Sequence, residues 1–247
     1  MKRSTQMLAV ASGVFLELVR RKDFTVLGIL AGLFLAFLAA ARFVGFDHAA
    51  AGTFLLNLSL TLIVGLAHVI ALVTAARQLP DEMERGTIYP LLARPIRRSD
   101  VLLGKWTAAT AAGMVVFYLL GGAALGLIPK LEPYEAGTLA QLLALQAPAL
   151  AVTAAAGMLF PLWLARAPGL FIAAAIVFGA GPLARVGGGL WPALILPDPG
   201  RLNLVLRYTD GIAPIPGIHF LLLLLYGVLW SLLLLTAAAY SFQRRSL

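Results

Sequence analysis

The stretch Phe54-Leu55-Leu56-Asn57-Leu58-Ser59-Leu60-Thr61-Leu62-Ile63-Val64-Gly65-Leu66-Ala67-His68-Val69-Ile70-Ala71-Leu72-Val73-Thr74-Ala75-Ala76 runs for 23 residues without Asp, Glu, Lys or Arg. An α-helix rises 1.5 Å per residue, so about 20 predominantly apolar residues cross the ~30 Å of hydrocarbon in a bilayer. This run is long enough to span. Five further stretches meet the same test: Phe24 to Phe43, Val101 to Ile128, Leu139 to Leu164, Gly169 to Gly187 and Ile218 to Tyr240. Pro182 and Arg185 mark the fifth span as one that ends early or bends, with Gly187-Gly188-Gly189 at its exit. The expected fold is all-α, a polytopic membrane protein with six transmembrane helices.

Composition agrees. The 247 residues are 61% hydrophobic and 12% charged, with a mean hydropathy of +0.92, against about 45–50% and about 25% for soluble domains. A water-soluble enzyme is excluded, and the lipid bilayer is the first partner. The formal charge of +8 would suit a nucleic-acid face, but in a polytopic protein basic residues mark the loops kept inside. In the six-span arrangement Lys2, Arg3, Arg20, Arg21, Lys22, Arg77, Arg85, Arg94, Arg97, Arg98, Lys105, Arg166, Arg244 and Arg245 fall on one side. Arg42, Lys130, Arg185, Arg201 and Arg207 fall on the other, so 14 of the 19 basic residues share a face. Both termini are therefore expected in the cytoplasm, with no nucleic acid as partner. With no Cys there is no disulfide, thiolate metal site or cysteine nucleophile.

Ahead of the first span, residues 4–23 place Met7, Leu8, Ala11, Val14, Phe15 and Leu18 at helical spacing, with Gln6, Glu17, Arg20 and Arg21 elsewhere on the wheel. That pattern predicts an N-terminal amphipathic interfacial helix. Glu17, the Arg20-Arg21-Lys22 cluster and the lack of an Ala-x-Ala site argue against a signal peptide.

Residues 77–100, between spans two and three, form the charge-dense segment of the chain. Pro80 followed by Asp81, Glu82 and Glu84 is the composition of a helix N-terminus, so a short helix starting near Pro80 and ended by Gly86 is expected. A passive connector has no need of Ile88, Tyr89, Leu91 and Leu92, whereas a segment that docks on a cytoplasmic partner needs apolar anchors within a charged rim.

The strings Leu79-Pro80-Asp81-Glu82-Met83-Glu84-Arg85-Gly86-Thr87-Ile88, Leu91-Leu92-Ala93-Arg94-Pro95-Ile96-Arg97-Arg98 and Leu103-Gly104-Lys105-Trp106 resemble the cytoplasmic motif of ABC-2 type transporter permeases, closest to the NosY-like branch. The likeness extends to Phe15-Leu16-Glu17-Leu18-Val19-Arg20-Arg21-Lys22, to Leu196-Pro197-Asp198-Pro199-Gly200-Arg201-Leu202-Asn203-Leu204 and to Phe242-Gln243-Arg244-Arg245-Ser246-Leu247. The resemblance implies a homodimer of permease chains in a bacterial cytoplasmic (inner) membrane. Each chain would bind a cytoplasmic ABC ATPase subunit through a coupling helix between helices 2 and 3. In that reading Glu82, Glu84 and Arg85 make charged contacts with the ATPase, Ile88, Leu91 and Leu92 are packing anchors, and Gly86 and Thr87 belong to the same interface. Arg94 and Arg98 either join that interface or face lipid phosphates.

Residues 188–217 form a second long segment, extracytoplasmic and rich in Gly and Pro, with Trp191 suited to headgroup level. It reads as an interfacial loop, or as a gate or a dock for a periplasmic protein.

Other chemistries lack their residues. Gly104-Lys105 has neither the upstream Gly nor the following Ser or Thr of a phosphate loop, so nucleotide binds another chain and no cofactor is expected here. His48, His68 and His219 make no local metal motif, and His68, the one well inside a span, reads as a hydrogen-bonded packing residue. All 11 acids sit in loops or at span ends, which disfavours ion coupling and supports an external source of energy. Gly28-x-x-x-Gly32 and Gly122-x-x-x-Gly126 permit close helix approach. Competing readings are a membrane-embedded lipid-modifying enzyme, for which Asp47-His48 is the available pair, and a non-transporting scaffold. No copper-ligand signature exists in a chain with five Met and no Cys, and the transported substrate is not legible.

Overall fold

In the computed structural model, the described residues are 13, 28, 31–37, 39, 40, 49–84, 98–127, 136–186 and 196–244. Among them every regular element is helical: α1 (Ala49–Glu84), α2 (Arg98–Leu127), α3 (Ala136–Trp163), α4 (Arg166–Val186), a 3-10 turn (Pro199–Leu202), α5 (Val205–Thr209) and α6 (Gly217–Arg244). Five helices, α1, α2, α3, α4 and α6, are long and apolar enough to cross a membrane. They coincide with the second to sixth expected spans. Of the first span, residues 28, 31–37, 39 and 40 are described and helical. The interfacial helix at 4–23 lies outside the described residues except for Gly13.

Cross-helix contacts fix the direction of each pass. His68 and Gly157 tie α1 to α3 with both chains running the same way, since His68 meets Thr153 and Gly157 meets Leu72 and Ala75. Trp106 bonds to Ala151 and Tyr118 to Leu143, so α2 runs against α3. Thus α1, α3 and α6 descend together while α2 and α4 return, and α3 is central. Of its most apolar stretch 72% is buried, against 22% for α4 and α6, whose exposed Phe171, Ile172, Leu221, Leu225, Leu229 and Leu232 face outward as lipid-facing side chains do.

Small residues let α3 sit at the centre. Ala154, Ala155 and Ala156 are fully buried, and a Cβ built on Gly157 would stand 2.8 Å from the Leu72 carbonyl oxygen, so only glycine permits that approach. By contrast Gly28, Gly32, Gly122 and Gly126 have nothing within 4 Å of a built Cβ among the described residues. The close contacts fall at glycines outside the expected spacing motifs.

Three expectations change. The helix near Pro80 is not a new start: α1 continues through Pro80 to Glu84. Pro80 removes one backbone donor, and the continuation is held instead by side-chain ties described below. Likewise α4 passes through Pro182 to Val186 without an early end. Residues 196–216 also do more than loop. Leu202, Leu204, Val205 and Tyr208 are buried against Leu56, Leu60, Leu142 and Leu145, closing one end of the bundle. Gly211, at φ 65°, ends α5 in the left-handed conformation that glycine adopts freely.

Candidate functional site

The end of the bundle opposite that cap gathers the tail of α1, the start of α2, the α3–α4 corner and the end of α6. Five of the basic residues counted on the cytoplasmic side, Arg77, Arg98, Lys105, Arg166 and Arg244, lie on these pieces, so the sequence asymmetry corresponds to a real end of the molecule.

The tail of α1 carries acids at the wrong pole. A helix C-terminus presents unsatisfied carbonyls and partial negative charge, so a carboxylate there costs about 0.3–1 kcal/mol. Asp81 and Glu82 are held by cations from two other helices. Arg166, which opens α4, places Nη1 2.7 Å from Asp81 Oδ1. Lys105, only 1% exposed, pairs with Glu82 and donates to the Gln78 carbonyl at 3.2 Å. Adjacent acids on one turn are thus held by cations of two different helices. Taking an ammonium out of water is expensive unless a partner and hydrogen bonds replace the solvent, and here Glu82 and Gln78 supply both.

Arg98 makes the corresponding tie on the other flank. Its Nη1 lies 3.4 Å from both the Phe242 and the Gln243 carbonyl oxygens, and its guanidinium sits 5.9 Å from the Phe242 ring centre. It therefore caps the last turn of α6 with a cation, the charge that this pole favours. Trp163, at the end of α3, donates its indole N–H to Ser241 of α6. Residues 85–97 thus depart from and return to helices that are fastened to α2, α4 and α6.

Of the residues assigned to the partner interface, Glu82 and Arg98 are described, and both are engaged within the chain. For Glu84 the helical backbone is described. Arg85, Gly86, Thr87, Ile88, Leu91, Leu92 and Arg94 lie outside the described residues. Sequence reading missed Lys105 and Arg166 as partners of the acids; the only signal was two cations at span ends, which positive-inside counting absorbs without assigning a mate.

At the capped end, Gln141 donates to the Ile215 carbonyl and accepts from the Ile215 amide, both at 2.8 Å. Thr138 bonds to the Ile212 carbonyl and Asn57 to Thr209. Asp198 accepts from Gly200 N–H, and its own N–H donates to the Tyr226 hydroxyl. Arg201 is 3.6 Å from the Asp198 carboxylate. The cap is therefore joined to α1, α3 and α6. Midway, His68 is buried, with Nδ1 3.3 Å from Thr153 Oγ1 and its ring edge-on to Phe178. That is the packing role expected of it. Among the described residues no group of three or more His, Asp or Glu could hold a metal ion.

A family model described as ABC-2 family transporter protein matches residues 8–181. No curated protein matches the chain.

Proposed function

This chain belongs to the ABC-2 transporter family, and from that membership we propose that it is the permease subunit of an ATP-binding cassette transporter. It takes its energy from a separate cytoplasmic ATPase subunit. Two copies form the membrane unit in a bacterial inner membrane, with both termini in the cytoplasm, and the NosY-like branch is the nearest likeness. The work is export, or force passed to a periplasmic protein at the capped end.

The observation that carries this reading is the fastening of the two flanks of residues 85–97. Nucleotide-driven closure of an ATPase pair is a rigid-body motion, and it reaches the membrane only through stiff contacts. A push on residues 85–97 meets α1 locked to α2 through Glu82 and Lys105, α1 locked to α4 through Asp81 and Arg166, and α2 locked to α6 through Arg98. In this reading Glu84, Arg85, Gly86, Thr87, Ile88, Leu91, Leu92 and Arg94 face the ATPase, while Glu82 and Arg98 hold the chain's own side of the joint.

Affinity purification of the tagged chain from its native membrane tests this. An ABC ATPase retained by the native chain and lost when Ile88 and Leu91 are both changed to Asp supports the proposal. Purification without any ATPase, or retention unaffected by the double change, overturns it.

A further inference from the structure

Beside the joint, the α3–α4 corner and the tail of α1 enclose an open cleft of about 280 Å³. Its walls are Pro80, Met83, Pro161, Leu164 and Ala165, with Trp163 and Arg166 also lining it. The cleft sits where two spans end, since Trp163 closes α3 and Arg166 opens α4. Trp163 and Tyr240 are both largely exposed at this end, and exposed Trp and Tyr in a membrane protein settle at headgroup level.

Arg166 is the charged group of the cleft. Its side chain is 41% exposed and pairs with Asp81 through one guanidinium nitrogen. A guanidinium has five N–H donors in a fork that matches phosphate oxygens, so Arg166 retains donors for a second anion. The apolar walls meet the lipid-facing surface, because Leu164 is exposed at the cleft and Phe171 and Ile172 are exposed within two turns of Arg166 on α4.

We infer that this cleft binds the headgroup of one anionic phospholipid, with phosphate against Arg166, glycerol beside Trp163 and acyl chains along Leu164 and α4. Arg166, the cation lining the cleft among the described residues, selects an anionic over a zwitterionic lipid, whose own ammonium it would repel. Apolar walls select a lipid over free phosphate, which has no chains to cover them. The lipid phosphate and Asp81 then share one guanidinium, so binding loosens the hold of α4 on the tail of α1. That regulatory consequence rests on the proposed function; the binding does not.

The test is lipid retention by the purified chain after exchange in mixed micelles of equimolar phosphatidylglycerol and phosphatidylcholine, read by native mass spectrometry. Phosphatidylglycerol should be retained several-fold over phosphatidylcholine. Arg166→Gln should abolish that preference, Asp81→Asn should raise it by freeing the guanidinium, and Arg244→Gln should leave it unchanged. Equal retention of the two lipids overturns the proposal. So does an equal loss in Arg244→Gln, which would mean diffuse charge, or displacement by excess inorganic phosphate. If Arg166→Gln does not fold, the absence of any gain in Asp81→Asn is itself decisive. No ATPase enters the measurement, so its failure is separable from failure of the transporter reading.

Discussion

Lys105, buried on α2, lays its ammonium against the Glu82 carboxylate in the last turn of α1. The pair joins the two helices that flank residues 85–97. Its two ends differ: Glu82 is 28% exposed and Lys105 is 1% exposed, and this asymmetry orders the effects of removing either one.

Glu82→Gln removes a counter-charge from a buried ammonium, whereas Lys105→Met removes a cation from a partly exposed carboxylate. The first should cost about 2–3 kcal/mol, below the 3–5 typical of a fully buried pair, and the second less. The double variant should recover most of the loss. Thermal unfolding in detergent, followed by intrinsic fluorescence, gives the ranking; a Lys105→Met more damaging than Glu82→Gln contradicts it.

Arg98→Ala should fray the last turn of α6 and loosen α2 from it, at a cost of about 1 kcal/mol. In a complex with the ATPase, hydrolysis should continue while transport or force output falls. Parallel loss of both activities would show that Arg98 serves folding alone.

Gly157→Ala and Gly122→Ala make a matched pair. A Cβ at Gly157 would stand 2.8 Å from a backbone oxygen of α1, whereas at Gly122 it would meet nothing within 4 Å among the described residues. The first should destabilise by about 1–3 kcal/mol. The second should be neutral, or stabilising by up to about 1 kcal/mol through helix propensity. Melting temperatures of the two variants check the difference in sign.

Gln141→Ala removes both hydrogen bonds to Ile215. The expected cost is about 1–3 kcal/mol, concentrated locally. Hydrogen exchange should quicken over residues 205–216 and remain unchanged in α3, and a uniform rise across the bundle would mean that the cap has no independent stability.

How far the sequence foretold this depends on the range of each signal. Long apolar runs are local, so α1, α2, α3, α4 and α6 were legible to within several residues at each end. The segregation of Arg98, Lys105, Arg166 and Arg244 was legible for the same reason. The partnership of Lys105 with Glu82 was not, because it joins residues 23 positions apart in sequence through a fold that no periodicity encodes. Leu202, Leu204, Val205 and Tyr208 did carry a signal, an apolar cluster inside a Gly/Pro-rich segment, but Pro197, Pro199, Pro214 and Pro216 masked it as loop. The continuation of α1 through Pro80 was misread because Pro followed by acids marks helix starts more often than helix ends, and only the tertiary ties to Arg166 and Lys105 reverse that preference.

The central claim is that residues 85–97 face the cytoplasm and receive an ATPase. Because the chain has no Cys, a single Ile88→Cys variant can be labelled without removing any native thiol. The decisive measurement is its reaction with a membrane-impermeant maleimide in intact cells and in inverted vesicles. The account predicts no labelling in cells and strong labelling in vesicles stripped of the ATPase; labelling of Ile88→Cys from outside intact cells would contradict it.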